Sequence, residues 1–350
     1  MKIRFYDPSD KESWDSYVYA HPDATHCHLS GWKNVIENTY GHKGYYLLAE
    51  GNSKIKGILP LFHIKSLLFG NQLVSMPFLN YGGILADSEE VSSELFREAT
   101  CLCLSLKAAA MELRHMKRFE VITSASNIEI RERAHKVRML LELPPSKESL
   151  LKSFRSKLRS QISRPQKEGV IAKIGGMELQ DSFYAVFAIN MRDLGSPVHS
   201  RRLFQQICQV FPQNIRIGVV YYENIPVAGG LVFCFRDTVE IPWASSLRKY
   251  SRLSPNMLLY WAFLELASDK GFKYFDFGRS TPDEGSYRFK EQWGAKPAPL
   301  YWYDVVLNGK PFKYADLENS KFDTAIKYWK KLPVPIANII GPLIRKHISL

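Results

Sequence analysis

The chain has 350 residues, 45% of them hydrophobic, and a net charge of +12, so it carries enough apolar surface for one large core or two medium ones and suits acidic partners such as RNA, nucleotide phosphates, anionic lipid or acidic glycan. Its five cysteines, Cys27, Cys101, Cys103, Cys208 and Cys234, show neither a disulfide framework nor zinc spacing. Residues 1–20 hold no apolar leader and no uninterrupted apolar run reaches about 18 residues, so the expectation is a cytoplasmic protein without a spanning helix.

In chain order, His21, His26 and His28 come first; no further ligand stands at a metal-binding spacing, and no metal site is expected. GWKNVIENTY reads as a helix, followed by strands YYLLAE, KIKGILPLFHI and LVSMPFLNYGGIL, a long helix through residues 89–116 and a strand FEVITS at 119–124. Cys101 and Cys103 fall in that helix as small core residues. In NYGG, Asn80 and Tyr81 precede two glycines that either admit a ligand to the backbone or make a turn. Pro144 and Pro145 punctuate the chain.

Residues 147–168 read as one cation-rich helix, with Leu150, Leu151, Phe154, Leu158 and Ile162 on its buried face. Arg155 and Arg159, four apart, share an outer face and offer two guanidiniums to a phosphate, or else form part of a solvated face. MRDLGSP ends the next helix, with Gly195 as its left-handed stop; Arg192 and Asp193 there either border a ligand or pair with each other. RRLFQQICQVF is a helix, and RIGVVYYE, IPVAGGLVFCF and VEIPWASSL are strands. Trp243 and Ser245 lie on the last of these. Asn256 reads as the N-cap of a helix that stops at Gly271.

A strand then leads through Asp276 to Arg279 and Ser280, and a loop marked by Pro282 and Gly285 leads to Ser286, Tyr287, Lys290 and Trp293. A carboxylate, a guanidinium, a phenol and an amine are thus delivered where a buried strand runs into a loop, a common place for chemistry. Near the C-terminus, Leu332–Ile344 is uncharged but too short to span a bilayer, and Lys330, Lys331, Arg345 and Lys346 flank it. It either docks on the protein or lies on an anionic membrane. No phosphate-binding loop, dinucleotide fingerprint or nucleophile elbow is present.

The order helix, strand, strand, strand, helix, strand occurs twice. An offset of 156 residues aligns Phe119 with Phe275 and Ser124 with Ser280, and puts Glu120 where Asp276 stands. The expected division is residues 1–146, residues 147–310 and a tail at 311–350, each of the first two an α/β layer.

FDFGRS at 275–280, GSYRFKEQWG at 285–294, MRDLGSPV at 191–198, SPNMLLYW at 254–261, KLRSQISRPQKEGV at 157–170 and NYGG at 80–83 together resemble the FemAB-related branch of the GNAT-like acyltransferases, in the form associated with exosortase/PEP-CTERM exopolysaccharide systems. The resemblance covers roughly residues 20–345. It implies an α/β (α+β) fold of two tandem GNAT-like domains, each a mixed, mostly antiparallel sheet flanked by helices, with a helical tail. It also implies acyl or aminoacyl transfer to an amine on a peptidoglycan or exopolysaccharide precursor, UDP- or lipid-linked. No bound cofactor is expected; the donor would be aminoacyl-tRNA or acyl-CoA, and the place of work the cytoplasmic side of the membrane.

On this resemblance Asp276 would orient the amine and take its proton, Arg279 and Lys290 would neutralise phosphate or oxyanion, and Tyr287 would protonate the leaving group. Trp243 and Trp293 would shape the cleft, with Ser245, Asn256, Ser280 and Ser286 beside it. Arg155 and Arg159 would hold a diphosphate or RNA, and Asn80, Tyr81, Arg192 and Asp193 would border the acceptor. Against this stands a plain structural reading, in which Asp276 and Arg279 form a buried ion pair and Trp243 only packs. The sequence departs from acetyl-CoA-dependent relatives at Arg252–Met257, which lacks the pyrophosphate-binding glycines and has Pro255 in place of an amide donor. An acyl-CoA-dependent N-acetyltransferase of polysaccharide biosynthesis and a non-catalytic RNA- or glycan-binding module remain as alternatives.

Overall fold

A computed structural model describes residues 1–66, 70–119, 128–307 and 320–349. The first sheet and its helices begin with β1 (Lys2–Phe5), α1 (Lys11–Ala20), α2 (Gly31–Tyr40), β2 (Gly44–Gly51), β3 (Lys54–Ser66), β4 (Gly70–Val74), β5 (Leu85–Ala86), α3 (Glu89–Ser105), β6 (Ala110–His115) and β7 (Ile128–Arg133). There follow β8 (Val137–Glu142), α4 (Lys147–Ser153), α5 (Ser156–Lys167), β9 (Ile171–Gly175), α6 (Gln180–Leu194), α7 (Arg201–Val210), β10 (Ile215–Tyr222), β11 (Ile225–Phe235) and β12 (Thr238–Ser246). The chain continues through α8 (Pro255–Asp269), β13 (Tyr274–Ser280), α9 (Gly285–Glu291), β14 (Lys296–Pro299), β15 (Tyr301–Leu307), α10 (Ser320–Trp329) and α11 (Val334–Arg345).

The repeat read from the sequence is present: α2-β2-β3-β4-α3-β6 in one half, α7-β10-β11-β12-α8-β13 in the other. Its last strand sits elsewhere in the first half. The helix expected through residue 116 stops at Ser105, where Lys107 takes a positive φ of 54°, and AMELRH extends as β6. Five of those six residues are strong helix formers, but every one of the six is buried, and pairing with β4 and β15 overrides propensity. Cys101 is accordingly exposed on α3, whereas Cys103 is buried. Glu120 and Ser124 lie outside the described residues.

Two sheets form, in the orders β1-β2-β3-β4-β6-β15-β7 and β14-β8-β13-β12-β11-β10-β9, with β5 added beside β3. The chain divides accordingly: one compact unit holds Met1–Lys136 with the strand at 301–307 and the residues from Lys346 on, and the other holds Val137–Ala298 with the tail helices. The divisions expected after residues 146 and 310 therefore fall instead at 136/137 and 298/299. The reason is strand exchange. β8 follows β7 directly but pairs with β13, and β15 follows β14 but inserts between β6 and β7.

In each sheet one pair of neighbours is parallel, β4 with β6 and β12 with β13. The predicted helix at 147–168 is two helices. Phe154 and Arg155 are extended at the break, which turns the Phe154 ring into the core, edge-on to Trp261 and Trp293 at 6.2 and 5.6 Å. In the first unit the C-terminal residues are fastened by backbone bonds: the Ser349 carbonyl accepts from Phe78 N at 2.6 Å and from Arg114 Nη2 at 3.0 Å, and the Lys346 carbonyl accepts from His42 Nε2 at 2.6 Å.

Candidate functional site

The parallel pair β12–β13 keeps only three rungs, Thr238–Tyr274, Val239–Phe275 and Glu240–Asp276, after which the strands part while both continue. Asp276 stands at the last rung, 1% exposed. Its Oδ2 accepts from Arg138 Nε at 2.7 Å, and its Oδ1 accepts from the Gly278 amide at 2.8 Å. Asp276 thus forms a buried ion pair with Arg138 on β8, a partner not expected from the sequence, where Arg279 was named. Each carboxylate oxygen thus carries one of these two bonds.

Gly278 has a φ of +71°, open to glycine, and the register between β13 and β8 slips between Asp276 and Arg279. The resulting bulge presents two successive carbonyls to one lysine. Lys290 Nζ donates to Arg279 O at 2.8 Å and to Gly278 O at 3.2 Å, and the residue is 7% exposed. Burial pulls its ammonium down to about 8, against the opposing Asp276 carboxylate; Arg279 adds to the fall and Glu240 resists it. Two of its three hydrogens are used in these bonds.

Around this lysine the expected residues divide. Arg279 is half-buried on β13 and faces Arg138 in the register. Ser280 is 4% exposed, and its hydroxyl has no hydrogen bond among the described residues. Tyr287 is half-buried on α9 with its ring against the second unit's core, and Ser286 is exposed. Trp293 is fully buried in that core and Trp243 is 8% exposed, edge-on to Phe204 at 5.3 Å; both pack. Ser245 accepts from Asn190 Nδ2 at 3.0 Å. Asn256 is not the N-cap of α8: Ser254 is, in a left-handed conformation with a φ of 50° and no side-chain bond to the helix, because Pro255 occupies the first turn. Arg155 and Arg159 are exposed at the start of α5.

Arg192 bonds Asp193 through Nε at 2.7 Å and the Leu332 carbonyl through Nη1 at 2.7 Å. The neighbouring Gly195, with a φ of +85°, lies so close to Ile326 that a Cβ would stand 2.5 Å from it. The MRDLGSPV stretch thus holds the tail helices, which accounts for its residues without a ligand.

In the first unit β4 and β6 likewise part after the rung Val74–Glu112. Glu112 is the structural counterpart of Asp276, and it too is buried and held by arginine: Arg133 at 2.8 Å and Arg114 Nε at 2.6 Å. A cavity of about 480 Å³ opens at this point, lined by Tyr81, Gly83, His28, His115 and Phe119 among others. Asn80 is half-buried beside it in sequence. His28 Nδ1 accepts from the Thr25 amide and Nε2 donates to Gly83 O, both at 3.2 Å, and burial pulls the ring down to about 4. His115 stacks on Phe119 at 4.9 Å; burial pulls it down to about 3, and its Nε2 has no partner among the described residues. A Cβ on Gly83 would stand 2.7 Å from the His115 ring, so only glycine fits there.

Arg138, Glu112 and His115 were missed from sequence. Only Arg138 left a signal, as the polar member of the alternation Val137–Leu141.

Residues 152–291 match the Acetyltransferase (GNAT) domain family. The GNAT match spans α5 through α9 and includes β12, β13 and Lys290. No curated protein matches the sequence. Among solved structures, the fold is similar to FemX at a TM-score of 0.67 and 15% identity, over 88% of this chain and 98% of that one. It is similar to L-PGS from Bacillus licheniformis at 0.56 and 12%, over 98% of each chain. A tandem GNAT protein from the clavulanic acid biosynthesis pathway aligns at 0.54 and 9%, over 88% and 99%. At these identities the likeness concerns the fold: two tandem GNAT-like units, each a mixed sheet flanked by helices. No described helix is long and apolar enough to cross a membrane.

Proposed function

We propose that the second unit transfers an acyl group, aminoacyl in the first instance, from an activated ester or thioester to an amine on a cell-envelope precursor. The observation that carries this reading is Lys290: a buried ammonium pinned by two carbonyls of a bulged strand, just past the point where the parallel strands part. In the reaction the amine nitrogen bonds to the acyl carbon, the carbonyl oxygen gains negative charge, and the bond to the leaving oxygen or sulfur then breaks. The nitrogen loses one proton, for which Asp276 is the candidate acceptor, and the leaving group gains one. Lys290, protonated at neutral pH, donates its remaining N–H to the developing oxyanion. The buried Ser280 hydroxyl, with no bond among the described residues, is a second polar group that a bound ligand would satisfy. Tyr287 is the candidate proton donor to the leaving group. Asp276 positions: it fixes the Gly278 bulge and so the two carbonyls that hold Lys290.

Arg155 and Arg159, both exposed, are assigned to the phosphates of a UDP- or lipid-linked acceptor or of a tRNA donor. An acyl-CoA donor is the second reading, favoured by the GNAT domain match; Pro255 at the start of α8 speaks against it by removing an amide where a pyrophosphate would bind. The exosortase association rests on the sequence motifs.

The test is transfer measured with aminoacyl-tRNA and with acyl-CoA, on the parent and on Lys290→Met. Turnover with one donor that falls about 100- to 1,000-fold in the folded variant supports the reading and selects the donor. Undiminished turnover in Lys290→Met would remove it.

A further inference from the structure

Helix α11 has two faces of opposite character. On one, Ala337 is 1% exposed, and Gly341 lies so close to Val198 that a Cβ would stand 3.0 Å from its backbone nitrogen. Arg345 Nε donates to His199 Nε2 at 3.1 Å, and the Leu332 carbonyl just before the helix is held by Arg192. These contacts fix the rotation of the helix. The other face consequently points outward, and it is apolar: Ile336, Ile339 and Leu343, at spacings of three and four, are 46%, 70% and 59% exposed, with Ile344 beside them. Large aliphatic side chains grouped at such exposure are unusual on a surface that meets only water.

The charge around this face is of one sign. From Thr324 to the C-terminus there is no Asp or Glu, while Lys327, Lys330, Lys331, Arg345 and Lys346 bracket the apolar run on both sides. Helix α11 is 12 residues long, too short to cross a bilayer. We propose that the outer face of α11 lies on the surface of an anionic phospholipid bilayer, with Ile336, Ile339 and Leu343 at the acyl boundary and the flanking lysines among the headgroups. Docking and membrane contact, alternatives in the sequence, are then the two sides of one helix. A second copy of the chain is a poorer occupant, since a twofold contact would set each cationic rim against itself.

The experiment is co-sedimentation of the full chain with vesicles of phosphatidylglycerol and phosphatidylcholine, and with phosphatidylcholine alone. The expected result is binding to the anionic vesicles that weakens as salt is raised, is reduced about tenfold or more by Ile339→Glu, and is reduced about fivefold by Lys331→Glu. Both positions are exposed, so both variants should melt with the parent; Leu343→Ser serves as a further variant on the same face. Equal binding of the parent and of all face variants, or no binding to anionic vesicles at low salt, would overturn the proposal. So would a dimer in analytical ultracentrifugation that Ile339→Glu dissociates.

Discussion

Lys290 sets two pH dependences that can be separated. As the oxyanion's donor it must carry its proton, so single-turnover rate should fall as pH rises through about 8. In the folded chain it is held below an ordinary lysine, so from about 8 up to the ordinary lysine range the unfolded chain binds more protons and stability should rise with pH; Lys290→Met should flatten that rise in urea titrations. The buried histidines act on the acid side. His28 and His115 are held down to about 4 and about 3, so below about 6.5 the unfolded chain takes up protons that the folded one refuses. Stability should drop by about 1.4 kcal/mol per pH unit for each of them as pH falls from 6.5 toward 4. Melting curves of His115→Phe should show a shallower slope than the parent. At this scale the sequence pointed to Asp276 and Lys290 but not to their partners. Arg138 is 138 residues from Asp276 in the chain, and only the pairing of β8 with β13 brings their side chains together.

The elements were legible where periodicity was strong and illegible where tertiary pairing outweighed it. The doubled order of helices and strands was apparent because the apolar runs of β10 and β11, the partial alternation of β12 and the apolar stripe of α7 are local signals. Strand β6 was absorbed into α3 because nothing in AMELRH announces a strand until β4 and β15 flank it. The bulge at Gly278 is likewise a product of pairing, and its left-handed φ is its weak point. Gly278→Ala should cost about 1–2 kcal/mol and shift Lys290, so a transfer rate that falls further than stability alone explains is the expected outcome. Gly341→Leu should prise α11 from Val198. Proteolysis near residues 330–333 should then accelerate while the rest of the chain melts nearly as before. MRDLGSPV shows the limit of motif reading: its residues are explained by the helices they hold, a contact made by a segment over 130 residues later.

For the whole molecule, the exchange of β8 and β15 makes each sheet depend on sequence from beyond its own repeat. A cut after residue 146 looks natural from the prolines there, yet it would leave β6 and β7 without the strand between them. Residues 1–146 expressed alone should aggregate through those open edges, whereas coexpression with residues 147–350 should recover soluble complex. Soluble, folded 1–146 with protected β6 amides would contradict the exchange.

Strand β15 ends at Leu307 of 350 residues, and until it arrives the first sheet lacks the strand between β6 and β7. During synthesis the N-terminal half therefore emerges early but finishes late, its two edges waiting while the ribosome makes the second unit. For this protein the order of translation is not the order of completion: the second sheet can close once β14 has emerged, before the first does. The interval between these events is when chaperone binding to the nascent chain should be strongest.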